Sequence, residues 1–240
     1  MATGAILPTL EITEYRLRLA RDLMADDAPQ LRGFFGSKFA GQVLLHHHRP
    51  DGSLLYEYPR VQFKVLHRMG LVVGVAEGSE LLSRLWLEID HATLGHSSYP
   101  VLEATIRRRT EHFGETDRTV SYRFLTPWLA LNQENERCYR AARHRYERTA
   151  LLERILVGNC LSFAKSFDHM VKSKLQADCG GLTSVRTTLK GVPMRGFVGS
   201  FTVNFILPDY LGIGKSVSRG FGTVQRIADA KGDKEVQRDH

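Results

Sequence analysis

Apolar and polar residues alternate along several segments of the chain, which predicts β-strands joined by a few helices. The alternation of a half-buried strand covers residues 10–20, 54–67 and 197–207. Shorter extended segments are predicted to begin at Val43 and to cover residues 71–75, 121–125, 182–190 and 223–227, and residues 86–109 are predicted to form a β-rich stretch. Apolar residues three or four apart predict helices after Asp26 or Asp27, at 77–87 and at 148–170. We expect Thr126-Pro127 to end one strand and Gly191-Val192-Pro193 to form a hairpin turn.

The order of these elements predicts the fold class. Strand, helix, strands, helix and strand are followed by strand, helix, hairpin, glycine-rich loop and strand. This order predicts an α+β protein with two tandem ferredoxin-like (RRM-like) domains, of which the second has a degenerate second helix. We place the domains at residues 1–115 and 116–228, because a polar break lies near 112–120, and we expect residues 229–240 to form a disordered tail.

Charge, cysteine content and the lack of long apolar runs indicate which partners and which cellular compartment suit the protein. The chain of 240 residues has 33 Lys and Arg against 26 Asp and Glu, a net charge of +7 that favours polyanionic partners. Its three cysteines form no Cys-x-x-Cys pair, which argues against a zinc knuckle and for a reducing compartment. The sequence contains no apolar run of about 20 residues and no pattern typical of a signal peptide. We therefore predict a cytoplasmic protein without a membrane partner.

Three consecutive histidines, His46-His47-His48, form the first candidate for chemistry. In an extended segment His46 and His48 would share one face, where one imidazole accepts a proton and the other donates one. RNA offers the matching reaction, the attack of a 2′-hydroxyl on the adjacent phosphate. A metal site with Asp51 or Glu57 as a further ligand, or simply solvated side chains, would fit the same residues.

A glycine-rich loop at residues 212–222 is the second candidate. It contains Gly-Lys-Ser, but Asp209 stands where a P-loop requires glycine, so a P-loop is excluded. Glycines let backbone amides approach phosphate, and Lys215 and Arg219 add positive charge. The alternative is a loop that only connects strands.

Residues 137–154 form a basic run with six arginines against two glutamates. Such a run suits either contact with an RNA backbone or a solvated helical face.

Several segments together resemble a known family. They are Leu31-Arg32-Gly33-Phe34-Phe35-Gly36, Leu44-Leu45-His46-His47-His48, Tyr58-Pro59-Arg60-Val61-Gln62-Phe63-Lys64-Val65, Gly74-Val75-Ala76-Glu77-Gly78, Leu125 to Asn132, and the ending from Gly212-x-Gly214-Lys215 to Gly220-Phe221-Gly222. In this order the segments resemble the CRISPR-associated repeat-processing endoribonucleases of the RAMP superfamily, over most of residues 10–227.

The resemblance implies a function and a set of site residues. Such proteins have tandem ferredoxin-like domains and cut CRISPR repeat RNA without metal or cofactor, which leaves a cyclic phosphate and a free 5′-hydroxyl. The implied general acid and base are His46 and His48, and His47 stands where the family often has asparagine. The implied RNA contacts are Lys38, Lys215, Arg219, Gly212, Gly214, Gly220 and Gly222. The implied partners are the repeat RNA or the mature guide RNA and, for members that keep their product, other Cas proteins of an interference complex.

Two other functions would fit parts of this pattern. A non-catalytic RNA-binding scaffold subunit of the same superfamily would share the glycine-rich loop and the basic run without needing His46 and His48. A metal-dependent hydrolase would use the histidines as ligands, but few other His, Asp and Glu residues cluster near them.

Overall fold

The computed structural model describes residues 7–46 and 58–228, apart from the side chain of His46. The N-terminal half contains β1 (Thr9–Leu19), α1 (Ala28–Lys38), α2 (Val43–His46), β2 (Val61–Leu66), β3 (Met69–Val75), α3 (Glu77–Leu85), β4 (His91–Leu94) and β5 (Ser97–His112). The C-terminal half contains β6 (Gly114–Trp128), α4 (Gln133–Ala141), α5 (Arg145–Lys165), β7 (Ala177–Asp178), β8 (Leu182–Leu189), β9 (Val192–Ile206) and β10 (Val224–Arg226). None of the helices in these ranges is long and apolar enough to cross a membrane.

Each half forms one antiparallel sheet. The first has the strand order β2-β3-β1-β5-β4, and the second has the order β10-β6-β9, with β7 and β8 both paired to β9. β1 lies between β3 and β5, and β6 lies between β9 and β10, which is the place of the first strand in a ferredoxin-like domain. In the first sheet β4 is added at the edge beside β5. A single 3₁₀ turn, Val217–Arg219, replaces the second helix of the second domain. The predicted α+β fold with tandem ferredoxin-like domains is therefore confirmed.

The strands β1 and β3 of the first sheet are buried on both faces, and this brings the two domains together. On one face the helices α1 and α3 contribute Leu31, Phe35 and Leu82 to a core of the N-terminal domain. On the other face, Val73 and Val75 of β3 belong to a core that continues through α5 and the second sheet. Burial of this shared apolar surface removes it from water and fixes the domains against each other.

The extended segment predicted to begin at Val43 is wrong, because residues 43–46 form the short helix α2. Leu45 is fully buried in the N-terminal core, and its neighbour Leu44 packs against the same core. A strand would direct these two neighbours to opposite faces, whereas one helical turn lets both contact the core.

The strand break predicted at Thr126-Pro127 is also wrong, since β6 continues to Trp128. The ladder between β6 and β9 has a register shift between Phe124 and Trp128, so Pro127 is not required to donate a ladder hydrogen bond. The polar residues at 114–117, which suggested a break, lie at the start of the same strand, and the chain passes from β5 to β6 through Phe113 alone.

The hairpin between β8 and β9 turns one residue earlier than predicted. Lys190 and Gly191 form the turn with φ values of 53° and 77°, which matches a two-residue hairpin with both central residues left-handed. Val192 and Pro193 already belong to β9.

Candidate active site

Alternate side chains around β2 contact the glycine-rich loop and α5, and so fix the loop against the first domain. The Tyr58 hydroxyl donates a hydrogen bond to the carbonyl oxygen of Gly212 at 2.8 Å. The amide N–H of Gly212 in turn donates to Oε1 of Gln62 at 2.9 Å. Arg60 donates to the carbonyl oxygen of Ser166, just past the end of α5, at 2.9 Å. The Tyr-Pro-x-x-Gln segment is therefore an interdomain contact that positions the loop.

Lys64 continues this face of β2 and is fully buried. Its Nζ donates a hydrogen bond to Oε1 of Gln62 at 2.9 Å. Burial lowers the pKa of the Lys64 ammonium to about 7, because the charged form loses its hydration. The loop backbone packs directly on this strand: a Cβ placed on Gly220 would lie 3.1 Å from the carbonyl oxygen of Phe63.

The glycines of the loop allow a backbone path that other residues would obstruct. Gly214 has a φ of 88°, and a Cβ there would lie 2.5 Å from the indole nitrogen of the buried Trp128. Gly222 also has a positive φ, 65°. The N–H groups of Gly212, Gly220 and Gly222 all donate hydrogen bonds within the protein. These three glycines therefore shape the loop, and direct contact of the loop glycines with RNA stays a prediction.

Arg219 lies at the end of the 3₁₀ turn, where the loop meets α1. Nη1 of Arg32 on α1 is 3.3 Å from Oγ of Ser218, so helix and loop are in contact. A cavity of about 340 Å³ lies between them. It is lined by Pro29, Arg32, Gly33, Gly36, Ser37, Leu45 and Arg219. Because Leu45 directly precedes His46, this cavity brings Arg219 next to the start of the histidine segment.

The two lysines predicted to contact RNA lie on different cavities. Lys38 is exposed at the end of α1 and lines a cavity of about 570 Å³ on the other side of Gly33. Lys215 lines a cleft of about 670 Å³ between the domains, and its Nζ donates to the carbonyl oxygen of Leu131 at 2.9 Å. Partial burial lowers the pKa of Lys215. The structure therefore groups Arg219 and Lys38 around α1, apart from Lys215.

The histidine segment follows α2. His46 is the last residue of that helix, so its backbone is helical and not extended as the sequence predicted. His47 and His48 lie outside the described residues, as do Asp51 and Glu57, which the sequence offers as metal ligands. Within the described ranges no three His, Cys, Asp or Glu side chains are arranged to hold a metal ion.

Much of the basic run at 137–154 is engaged within the protein. Arg140 pairs with Glu136 at 2.7 Å, and Arg148 donates to the carbonyl oxygen of Ala142 at 2.9 Å. The run lies on α4, α5 and the turn between them, away from the cavity beside Arg219. This placement favours the solvated helical face over an RNA contact at the candidate site.

Two family models match nearly all of the described chain: the Cas6b N-terminal domain over residues 8–112 and the Cas6b C-terminal domain over residues 114–227. The chain belongs to the Cas6b family. A crystal structure of Cas6b is 34% identical, covers 92% of this chain and 100% of its own, and superposes with a TM-score of 0.86. A second Cas6b, described as a CRISPR RNA processing endoribonuclease, is 32% identical with the same coverage and a TM-score of 0.73.

Two further proteins resemble this chain, one in sequence and one in fold. An uncharacterised protein of Methanocaldococcus jannaschii is 37% identical over 148 residues, which are 62% of this Cas6b and all of the relative. Csf5, described as a type IV Cas6 crRNA endonuclease, is 12% identical and superposes with a TM-score of 0.57. At that identity the likeness shows the tandem fold alone. The first family model ends at residue 112, and the second begins at residue 114.

Sequence reasoning about this Cas6b missed Arg32 and Gln62 as parts of the site. Both lie in segments that carried the family resemblance, but neither was singled out. Helical spacing offered a signal for Arg32, because it shares one face of α1 with Gly33 and Gly36, while Leu31 and Phe35 face the core. Gln62 offered a weaker signal, a polar residue in a strand whose neighbours are apolar.

Proposed function

We propose that this Cas6b is a metal-independent endoribonuclease that cuts CRISPR repeat RNA within the precursor transcript to give mature guide RNA in the cytoplasm. Family membership supports the substrate class, and the second solved relative is described by this activity. The observation that carries the proposal is the contact of the glycine-rich loop with α1. It brings Arg219 to a cavity whose wall, Leu45, leads directly into His46.

The proposed reaction needs only groups that the protein carries. One of His46 and His48 removes the proton from the 2′-hydroxyl, whose oxygen then forms a bond to the adjacent phosphorus. The bond from phosphorus to the 5′-oxygen breaks, and the other histidine donates a proton to that oxygen. The products are a 2′,3′-cyclic phosphate and a free 5′-hydroxyl. Arg219 and Lys38 would stabilise the extra negative charge on the phosphorane.

Binding of the remaining repeat would involve the glycine-rich loop and the cleft beside Lys215. We further propose that the protein keeps its product and joins other Cas proteins in an interference complex. Retention is compatible with its net charge of +7, because each neutralised phosphate adds to the affinity.

Substitution of the histidines tests this function. His46→Ala and His48→Ala should each slow single-turnover cleavage of the repeat about 10²- to 10⁴-fold, the usual contribution of a general acid or base. Affinity for the repeat should stay near that of the wild type. His96→Ala is the matched control, because His96 is exposed in the turn between β4 and β5. Wild-type cleavage rates in both single variants would contradict the assignment.

A further inference from the structure

The solvent-facing side of α1 has an unexplained glycine. Gly33 lies in the middle of the helix, and nothing lies within 4 Å of the position a Cβ would take there. Glycine in a helix interior destabilises the helix relative to alanine. No protein group among the described residues requires the space above Gly33, so packing among residues 7–46 and 58–228 gives no reason for this glycine.

Two cavities meet over this part of α1. The cavity of about 340 Å³ extends toward the glycine-rich loop and is lined by Arg32 and Arg219. The cavity of about 570 Å³ extends toward the turn after β4 and is lined by Lys38. Gly33 and Ser37 line both cavities. Together they form a groove across α1, which we call the α1 groove, with cationic side chains on both sides.

The two arginines beside the α1 groove lie close enough to repel each other. Burial, and then the nearby charge of Arg219, lowers the pKa of the half-buried Arg32. Among the described residues, the Arg219 side chain has no ion pair or hydrogen bond. Two cations held together in a partly desolvated place favour an anion between them. Guanidinium groups suit a phosphate in particular, because their paired N–H donors match its oxygens.

We propose that the backbone of the repeat RNA crosses α1 in the α1 groove, with one phosphate between Arg32 and Arg219 and the strand passing over Gly33 toward Lys38. The ligand class rests on the proposed function. In this proposal Arg32 and Gly33 are binding residues. Arg32 contacts the phosphate with its positive charge, and Gly33 leaves room for the strand because it has no side chain.

A pair of matched glycine variants tests the path. Gly33→Glu and Gly158→Glu both place a carboxylate on an exposed interior helix glycine with open space, in α1 and α5 respectively. Both should raise Tm slightly, because glutamate favours the helix. Only Gly33→Glu should weaken binding of the repeat RNA, by about tenfold or more, since it adds bulk and negative charge to the groove. Binding is measured on RNA with a 2′-deoxy nucleotide before the cut, so that cleavage does not intervene.

Arg32 variants test the phosphate contact. Arg32→Gln should weaken binding and lower the slope of log K against log salt by about one, while Arg32→Lys keeps the charge and should keep the slope. The control is Arg84→Gln on α3, where an exposed arginine pairs with Glu80.

The outcomes separate this inference from the proposed function. If Gly33→Glu and Arg32→Gln bind like the wild type, the RNA does not use the α1 groove, even in an active enzyme. If the wild type binds the unmodified repeat without cutting it, the endoribonuclease function is wrong, and the binding comparison still decides the path. If the wild type binds no repeat RNA, both are wrong.

Discussion

The buried Lys64 makes a quantitative prediction about stability. Its pKa is about 7 in the folded protein, against an ordinary value of 10.5 for a lysine in water. Between these two values the unfolded chain holds a proton that the folded protein lacks, so stability rises with pH. The full slope is about 1.4 kcal/mol per pH unit. Near pH 7 the folded protein still holds about half a proton on Lys64, so the slope there is about half of its full value. The free energy of unfolding should therefore rise by about 1 to 2 kcal/mol from about pH 7 to about pH 8.5.

Lys64→Met isolates this contribution, because methionine fills a similar volume without a titrating group. The free energy of unfolding is measured by urea titration of both proteins across that pH range. Subtracting the variant from the wild type cancels every other titrating group, including the thiols of Cys160 and Cys179. Lys172→Met, at an exposed lysine, should show no pH-dependent difference. Parallel profiles for Lys64→Met and the wild type would refute the buried, neutral amine.

Two further predictions concern packing. Gly74→Ala should destabilise the protein by more than about 2 kcal/mol in urea unfolding, because the added Cβ would lie 2.2 Å from a backbone oxygen of α3. Gly158→Ala is the control and should not destabilise the protein, because the space around Gly158 is open among the described residues. In the native protein a thiol reagent should label the exposed Cys138 rapidly. It should label Cys160 and Cys179 only on unfolding, because burial raises the pKa of both thiols to about 12, and rapid labelling of all three would contradict their burial.

Strong periodic patterns in the sequence predicted the fold well. The apolar stripe of α5 contains Leu152, Leu156 and Phe163, which are all buried. The stripe was extended too far, since the helix ends at Lys165 and Met170 is 78% exposed. Periodicity alone does not show where a helix ends, because Phe167 and Met170 continue the spacing of the apolar residues beyond the last residue of α5.

The prediction missed α4 because this helix has no buried residue and therefore no apolar stripe. Its signal was the cap: the side chain of Asn132 accepts a hydrogen bond from the N–H of Asn135 at 2.7 Å. A single capping residue indicates a helix less strongly than a stripe of apolar residues does, and the many arginines nearby provide no such stripe.

The candidate site was predictable only in part. Arg219 and Lys38 were identified by charge and family resemblance, but the cavity that Arg219 lines depends on how the loop docks on β2. That docking uses the buried amide of Gln62, whose oxygen accepts from both Gly212 and Lys64. A contact between residues 150 positions apart has no local signature, so the sequence alone did not indicate it.

We propose that this Cas6b cuts repeat RNA by 2′-hydroxyl attack without metal. Its most direct test is cleavage of labelled repeat RNA in excess EDTA, beside the same RNA with a 2′-deoxy nucleotide before the cut. We expect full cleavage of the normal RNA, a cyclic phosphate on the product, and no cleavage of the deoxy form at that site. Loss of cleavage in EDTA with rescue by a divalent ion, or cleavage of the deoxy form, would contradict the mechanism.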